Sequence, residues 1–255
     1  MTSPIWQQLY VPDLLALLDL RDIRAPYPLA EVAQVGYDQI QERRSVIADA
    51  SHRTGGGIDE SLSDLASVCG EYHDSIDLRF TSGSDEIAAL ALHGPSGTWV
   101  IHADGPVGRF VRCPAHLAVA TLLSVLRPLP GTRSRSISIP EDLLIPLTLA
   151  GEPGVPRADR DRLLRAAGLA VTEYESFLSA TGAVAGAGQI GAGRRVDSGE
   201  GATRAARVVA FLDTAGGRLI SSPHEQQGRT WITLQSAGPA ELHRAAAGLI
   251  QTLVG

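Results

Sequence analysis

An internal repeat constrains the fold more than any other feature of the sequence. When the chain is shifted by 120 residues against itself, strand-end, glycine and arginine positions coincide in order, and a shift of 125 aligns two helix starts. We interpret the matched glycines as turn positions that require a positive φ. Each copy reads as three strands joined by two turns and followed by a helix. The matched pairs are His93/Asp213, Gly97/Gly217, Gly108/Gly228, Arg109/Arg229 and Pro114/Pro239.

Two copies are too few for a solenoid, which needs three or more short repeats. They predict instead two paired halves of one domain. Apolar Ile76, Leu78 and Phe80 alternate with polar residues, which predicts a half-buried strand. We therefore predict an α+β fold, an antiparallel β-sheet with helical bundles in two pseudo-twofold-related halves. The halves are residues 1–135 and 136–255, together one compact unit. Chance matching of glycines between unrelated hairpins is the alternative, and it requires all the landmarks to coincide in order by accident.

The hydrophobic periodicity places the individual elements. The helices are predicted at residues 29–50, 114–126, 141–150, 156–181 and 239–253. The strands are predicted at residues 76–80, 86–93, 98–103, 108–113, 136–139, 183–194, 204–214, 217–222 and 228–235. A turn of four small or polar residues separates the first two strands of the first meander, and it comprises Ser82, Gly83, Ser84 and Asp85.

The composition excludes several classes of function. The net charge is −6 and all 22 basic residues are arginine, which argues against nucleic-acid binding and against a basic membrane-binding surface. The longest apolar run, near residues 117–126, is too short to span a bilayer. Asp13 and Asp19 interrupt the N-terminal apolar stretch and argue against a signal peptide. Cys69 and Cys113 lack a paired spacing, so we expect two ordinary buried thiols in a reduced, cytoplasmic protein.

No motif in the chain predicts a catalytic, cofactor-binding or metal-binding residue. Residues 186–191 match the dinucleotide pattern GxGxxG, but a second glycine-rich stretch follows where the pattern needs a helix. A nucleotide-binding enzyme that uses this stretch therefore remains only as the alternative function. His224-Glu225 begins like a zinc-protease motif, but Gly228 stands where the second histidine belongs. No serine lies in a Gly-x-Ser-x-Gly elbow.

Three further polar residues have two possible roles each. Asp213 ends a predicted strand, where a carboxylate caps a turn more often than it takes part in catalysis. Arg194 and Arg195 fall in the predicted loop 191–203. They are candidates for contact with an acidic partner, and the alternative is an ordinary solvated hairpin tip.

The segment 208–219, which reads VVAFLDTAGGRL, carries a resemblance to a known family. It resembles the strand pair "DT-x-x-GR-aromatic" of the EspG family, with Leu219 at the aromatic position. The family's C-terminal layout is also similar. It matches the strand around Trp231 and the final leucine-rich helix, which begins at Pro239. The specific resemblance covers about residues 183–253. The aliphatic Leu219, the late Pro239 and the short 81–85 loop identify a divergent member.

The resemblance implies a non-catalytic cytoplasmic chaperone of actinobacterial type VII (ESX) secretion. Members of the family bind the tip of the PPE subunit in PE–PPE heterodimers, keep this cargo soluble and direct it to its secretion system. Carried over, the partner-binding loop is Ser82, Gly83, Ser84 and Asp85, and helix 156–181 is a further candidate. No cofactor is implied, and we expect a monomer or a weak homodimer. A scaffold that only self-associates through sheet edges is a third, weaker hypothesis.

Overall fold

The computed structural model describes residues 5–32, 36–54, 60–150, 156–195 and 202–251. Over these residues the fold is α+β, with helices and a sheet of eleven strands, which confirms the predicted fold class. The chain divides into two compact units. The first unit comprises Met1–Arg127, Gly188–Val208 and His243–Gly255, and the second comprises Pro128–Ala187 and Val209–Leu242. The predicted halves 1–135 and 136–255, and their pseudo-twofold relation, stay predictions.

The first 127 residues supply a helical layer and an antiparallel meander. A short 3₁₀ turn, Ala115–Leu117, precedes the last helix of this part. The elements in chain order are β1 (Gln7–Tyr10), α1 (Val11–Leu20), α2 (Leu29–Val32), α3 (Tyr37–Thr54), α4 (Glu60–Glu71), β2 (Asp74–Ser82), β3 (Asp85–Gly94), β4 (Gly97–Asp104), β5 (Val107–Cys113) and α5 (Ala118–Leu123).

The remainder of the chain again places helices before strands. The elements in chain order are β6 (Ile137–Pro140), α6 (Glu141–Ala150), α7 (Arg157–Ala166), α8 (Val171–Thr181), β7 (Val184–Arg195), β8 (Ala202–Arg204), β9 (Val209–Thr214), β10 (Gly217–Gln226), β11 (Arg229–Ser236) and α9 (Pro239–Gln251). Strand β7 and helix α9 each contribute residues to both units. The strands follow the order β1-β5-β4-β3-β2-β7 in the first unit and β7-β9-β10-β11-β6 in the second, and β8 pairs with β7.

In strand β2 the alternating pattern predicted the strand but not the burial of its polar residue Asp77. Ile76 and Leu78 are buried as expected, yet Asp77 between them is also buried, with 2% of its surface exposed. Successive side chains of a strand point to opposite faces, so both faces of β2 are covered at residues 76–78, and the rest of the strand is partly buried or exposed. An alternating strand in the middle of a sheet therefore carries a buried carboxylate that needs its own partner.

Each unit has its own apolar core. In the first unit, leucines of α1 and α4 pack on the sheet around Leu90 and Ile101. In the second unit, Leu164 and Phe177 form a cluster with Leu219. The cluster includes Ile137 and Ile139 of the edge strand β6. The Tyr174 hydroxyl donates to the Leu147 carbonyl at 3.0 Å and ties α8 to α6. Complete burial of a leucine or phenylalanine contributes about 1.5–3 kcal/mol, so these contacts hold the helices on the sheet.

Three predicted helices are interrupted or shortened in the structure. The helix predicted at residues 156–181 is two helices, because Gly168 at φ 68° ends α7 in a left-handed conformation. The Gly168 and Leu169 amides donate to carbonyls of the last turn of α7, which is a common way to close a helix end. The helix predicted at 29–50 is α2 and α3, and the helix predicted at 114–126 reduces to the 3₁₀ turn and α5.

Two strand predictions also need correction. Residues 204–214 are not one strand, because β8 ends at Arg204 and β9 begins at Val209. Strand β10 continues to Gln226, beyond the predicted end at residue 222. The turn between β10 and β11 is therefore formed by Gln227 and Gly228, which both have a positive φ.

The repeat glycines have different roles in the two copies. Gly97 and Gly217 both have a positive φ, 112° and 127°, as the repeat predicts. Gly108, however, lies inside β5, whereas Gly228 lies in a turn with φ 72°. A side chain at Gly108 would collide with the His102 carbonyl of the paired strand. The prediction that this matched pair shares a turn role is therefore wrong, since close backbone approach explains Gly108.

Candidate partner-binding surface

The turn predicted to bind the partner is the exposed tip of the β2–β3 hairpin. The two strands pair in register from Asp74 and His93 at one end to Ser82 and Asp85 at the other, so the connection has only two residues. Gly83 has φ 61°, as such tight hairpins require. Ser82 is half-buried, and the other three residues of the turn are exposed. A long, regular ladder therefore presents a small polar tip to solvent.

Arg79 ties the base of this hairpin to α2 and to the segment before it. Its Nη1 donates to Glu31 Oε2 at 2.9 Å and to the Tyr27 hydroxyl at 3.3 Å. Its Nε donates to Glu86 Oε1 at 3.1 Å, and its Nη2 makes a second bond to the same oxygen. The hydrogen bonds to Tyr27 and Glu86 raise the pKa of the Arg79 guanidinium above its usual value. One side chain thus joins both strands of the hairpin to the helical layer.

The buried carboxylate Asp77 is paired with Arg204 of β8. Arg204 Nη2 donates to both carboxylate oxygens at 2.9 Å, and its guanidinium stacks 4.6 Å from the centre of the Tyr27 ring. Burial raises the pKa of Asp77, and the bonds from Arg204 oppose this shift. The guanidinium passes directly over Gly191, where any side chain would collide with it.

The glycine-rich stretch 186–191 is part of strand β7, which continues to Arg195 through the positions where a dinucleotide site would begin its helix. It therefore lacks the helix N-terminus that a dinucleotide site uses to bind the pyrophosphate. At Gly191 the missing side chain makes room for the Arg204–Asp77 pair. The structure gives this glycine a packing role within the sheet.

Arg194 and Arg195 lie at the end of β7, so the prediction that the loop begins at Gly191 is wrong. Arg194 Nε donates to Asp74 Oδ1 at 2.7 Å, and this bond raises the pKa of the guanidinium. Arg195 donates to the Gly70 carbonyl and stacks on Tyr72 at 5.9 Å. Their role in partner binding stays a prediction.

The structure does not bring the six candidate residues together. Arg194 and Arg195 contact the segment around Asp74, at one end of β2, and the turn follows Ser82 at the other end. At about 3.3 Å per residue, these ends are roughly 26 Å apart. The tip and the arginine pair are therefore separate candidate contacts within the first unit.

Asp213 does not cap its turn, which corrects its predicted role. Its oxygens accept two bonds from Arg218, from Nε at 2.6 Å and from Nη2 at 2.8 Å. Both side chains are buried, and the guanidinium lies 5.1 Å from the centre of the Phe211 ring. Thr214 Oγ1 closes the turn instead, with a bond of 2.7 Å to the Gly217 carbonyl. The "DT-x-x-GR" pattern therefore builds a structural pair within the second unit.

The remaining predicted polar sites show ordinary surroundings. His102 is buried against Trp6, its Nδ1 accepts from Arg109 Nε at 3.3 Å, and burial lowers its pKa to about 4. His224 is exposed and lies 3.4 Å from Thr233 Oγ1. Cys69 and Cys113 are free and buried, as predicted. Among the described residues, no group of three or more His, Cys, Asp or Glu side chains is arranged to hold a metal ion.

Sequence signals for Arg79 and Arg204 were weak. Both arginines stand on polar positions of short or alternating strands, which usually means solvent exposure. The partners of Arg79 include Tyr27, which lies 52 positions away, and Arg204 reaches Asp77 over 127 positions. Contacts over such distances leave no local pattern that predicts them.

Comparison with known proteins identifies a family and similar solved structures. A family model described as the EspG family matches residues 13–247. The chain is also similar to a solved structure of the type VII secretion system chaperone EspG5 of Mycobacterium tuberculosis, which is in complex with a PE25–PPE41 dimer. The TM-score is 0.66 and the sequence identity 15%, over 97% of this chain and 96% of that chain.

No curated protein shows a significant sequence match to this chain. Within the described part of the structure, no helix combines the length and the apolar character that a membrane crossing requires.

Proposed function

The chain belongs to the EspG family, and we propose that it is a non-catalytic chaperone of type VII (ESX) secretion. Its cargo is a PE–PPE-type heterodimer, which it binds at the tip of the PPE subunit, keeps soluble in the cytoplasm and directs to its secretion system. The observation that carries this proposal is the family match over residues 13–247. The shared fold with EspG5, which was solved with a PE25–PPE41 dimer, supports it.

The β2–β3 tip, formed by Ser82, Gly83, Ser84 and Asp85, is the cargo contact that we propose. A binding surface for a protein needs a rigid base and a polar rim around the buried contacts. The hairpin supplies such a rim element, because its ladder is in register up to the turn and its tip is exposed. Arg194 and Arg195 are proposed as a separate, weaker contact, because intramolecular bonds already use part of their donor capacity.

Helices α7 and α8 of the second unit are a further proposed contact, which replaces the single helix 156–181 of the sequence prediction. Leu178 on α8 is 39% exposed, next to the buried Phe177 that packs this helix on its unit. Exposed apolar side chains of this kind suit the apolar tip of a cargo protein. Substitution of Leu178 by Arg is therefore expected to weaken cargo binding.

Co-purification tests the proposal. The chain is co-expressed with each PE–PPE-type pair encoded in the same genome, and complexes are isolated through a tag on the PE subunit. We expect a stable complex of one chain with one heterodimer for at least one pair. If no pair forms a complex, the proposed function is wrong.

A matched pair of variants locates the contact. Ser84→Arg places a long cation at the proposed tip, and Ser96→Arg places the same side chain at the exposed two-residue turn between β3 and β4. We expect Ser84→Arg to weaken cargo binding by at least about tenfold, as expected for disruption of an interface contact worth about 1.4 kcal/mol. Ser96→Arg should bind as the unaltered chain does. Equal effects of the two variants would remove the tip from the interface.

A further inference from the structure

We infer that Tyr174 is a positioning residue, which holds helix α8 in the rotation that presents Leu178 to cargo. This inference rests on the proposed function, in which α8 is a contact for cargo. Tyr174 is buried, with 4% of its surface exposed, so it acts through Leu178 rather than on the cargo itself. Its hydroxyl donates to the Leu147 carbonyl of α6 at 3.0 Å.

The first part of the argument is the place of Leu178 between two buried residues of α8. Leu178 follows Tyr174 by four positions and precedes Thr181 by three, and residues at these spacings are neighbours on a helix surface. Tyr174 and Thr181 are 4% and 3% exposed, whereas Leu178 between them is 39% exposed. The direction of Leu178 therefore depends on how α8 is rotated about its own axis.

The second part is the bond between α8 and α6. The Tyr174 ring belongs to the same apolar cluster as Leu147, Leu164 and Phe177. Apolar burial is not directional, whereas a hydrogen bond requires its donor and acceptor at a defined distance and angle. The bond from Tyr174 to the Leu147 carbonyl therefore restricts the rotation of α8 more closely than the packing of the ring does.

The third part is a second anchor at the end of α8. The Gly216 amide of the β9–β10 turn donates to the Thr181 carbonyl at 2.7 Å. Gly182, with φ 66°, closes the helix, and its amide donates to the Leu178 carbonyl at 2.8 Å. Tyr174 precedes Thr181 by seven positions, which is about 10 Å along a helix. The helix is thus held at two separate points, with Leu178 between them.

A contact that is already in place binds with a smaller loss of entropy. Association includes the cost of ordering side chains and segments at the interface, and a group that is held in its bound position lowers this cost. The variant Tyr174→Phe keeps the aromatic ring in the core and removes only the hydroxyl donor. Without the bond to α6, the rotation of α8 and the direction of Leu178 must be fixed when cargo binds.

The test measures the affinity of the full chain for its PE–PPE-type cargo and the midpoint of thermal unfolding. The matched control is Ser138→Ala, which removes a hydrogen bond of 2.8 Å between Ser138 Oγ on β6 and Thr233 Oγ1 on β11 in the same unit. Both variants should lower the midpoint by about 2–4 °C, since each loses one neutral hydrogen bond. We expect Tyr174→Phe to weaken cargo binding about three- to tenfold and Ser138→Ala to leave it unchanged. Equal losses of affinity would follow the stability of the unit and overturn the inference.

A double-mutant cycle with Leu178→Ala separates positioning from a general structural role. Leu178→Ala should itself weaken cargo binding about tenfold. In that background the direction of residue 178 no longer matters, so Tyr174→Phe should cause little further loss of affinity. If the two losses add fully, Tyr174 does not act through Leu178 and the inference is wrong. It is also wrong if either single variant binds cargo as the unaltered chain does.

The variant Gly182→Ala tests the second anchor independently. It places a side chain at a positive φ, and its Cβ would lie 3.0 Å from the Ala215 Cβ, so the end of α8 must shift from the β9–β10 turn. We expect weaker cargo binding that again shows no full addition with Leu178→Ala. Normal binding by Gly182→Ala at a lowered unfolding midpoint would contradict the inference. The proposed function fails by a different result, which is that the unaltered chain binds no cargo pair.

Discussion

The turn between β3 and β4 in the first unit and the turn between β9 and β10 in the second are related by the 120-residue offset, yet they use different chemistry. Both are two-residue turns that end on a glycine with positive φ, Gly97 or Gly217. In the first, His93 faces Thr98 and their side chains share a hydrogen bond of 2.8 Å. At the matched positions of the second turn, a carboxylate faces a guanidinium.

The surroundings of the turns explain this difference. Thr98 is buried but His93 is exposed, so one member of this pair can also bond to water. The second turn is enclosed by other backbone segments. The Gly216 amide donates to the Thr181 carbonyl at 2.7 Å, and the Arg218 amide donates to the Pro130 carbonyl at 2.9 Å. Asp213 and Arg218 are thereby excluded from water and depend on each other.

The comparison shows that two turns with the same backbone requirement differ in the side-chain chemistry that flanks them. A positive φ follows from the geometry of the turn alone and is visible in the sequence as glycine. The flanking pair follows from burial, which other segments impose. In this chain, the pairing of Asp213 with Arg218 therefore follows from the enclosed position of the turn.

The largest expected effect comes from breaking the buried pair. Arg218→Met leaves the Asp213 carboxylate buried and unpaired, so we expect the free energy of unfolding to fall by about 3–5 kcal/mol. The matched change in the first unit, Thr98→Val, removes a hydrogen bond that water can replace and should cost about 1 kcal/mol. Urea denaturation monitored by circular dichroism measures both.

The double variant Asp213→Leu/Arg218→Met controls for lost packing. It removes both charges together, so it should recover most of the loss. If Arg218→Met and Thr98→Val cost the same, burial does not distinguish the two turns and the comparison is broken.

A smaller effect on stability comes from the strands that follow the two turns. Strand β4 carries His102, and the residue of β10 at the matched position is Ser222. Burial, followed by the charge of Arg109, lowers the pKa of His102 to about 4, below the value of about 6.5 in an unfolded chain. The unfolded state therefore binds this proton first, and stability from His102 is complete above pH 6.5 and is lost as the pH falls from 6.5 to 4. The loss amounts to at most about 3 kcal/mol.

The variant His102→Phe isolates this contribution. The free energy of unfolding is measured from pH 7.5 to 4.5 for the unaltered chain and for the variant, and the variant should show the shallower decline. Parallel curves would mean that His102 does not remain neutral in the folded state. Ser222→Ala should leave the pH dependence unchanged, because a serine does not titrate in this range.

The smallest effect compares the two turn glycines. Gly97→Ala and Gly217→Ala both place a side chain at a positive φ, which costs about 1–2 kcal/mol for alanine. At Gly217 the new Cβ would also lie 2.6 Å from the Pro130 carbonyl oxygen, whereas at Gly97 it would meet the mobile end of Arg112 at 3.2 Å. We therefore expect Gly217→Ala to be the more destabilising of the two in thermal unfolding. The reverse order would show that the second turn is less enclosed than its contacts indicate.

Much of the fold was predictable, because its signals are local. Alternation around Ile76 and Leu78 indicated a strand, and the turn glycines indicated its hairpins. The break at Gly168 was not predictable, since an isolated glycine is tolerated in a helical pattern and the apolar stripe continues across it. The match of Gly108 to Gly228 failed because counting residues does not distinguish a strand glycine from a turn glycine.

The candidate surface was predictable only in part. The β2–β3 turn was located because four consecutive small or polar residues interrupt an alternating pattern. Its role as a partner contact came from the family resemblance and stays a prediction. The side chains that hold its base were not found, because Arg79 meets Tyr27 and Glu31 only after the helical layer has packed on the sheet. Asp213 was identified as unusual, but its partner was not, since the sequence does not reveal that this strand end is enclosed.

The central claim is that the chain binds PE–PPE-type cargo through the β2–β3 tip. The most direct test is hydrogen–deuterium exchange of the chain alone and in its co-purified complex. The account predicts slower exchange of the Gly83, Ser84 and Asp85 amides in the complex, with the matched turn at Ser96 and Gly97 unchanged. Unchanged exchange at the tip within a stable complex would contradict it.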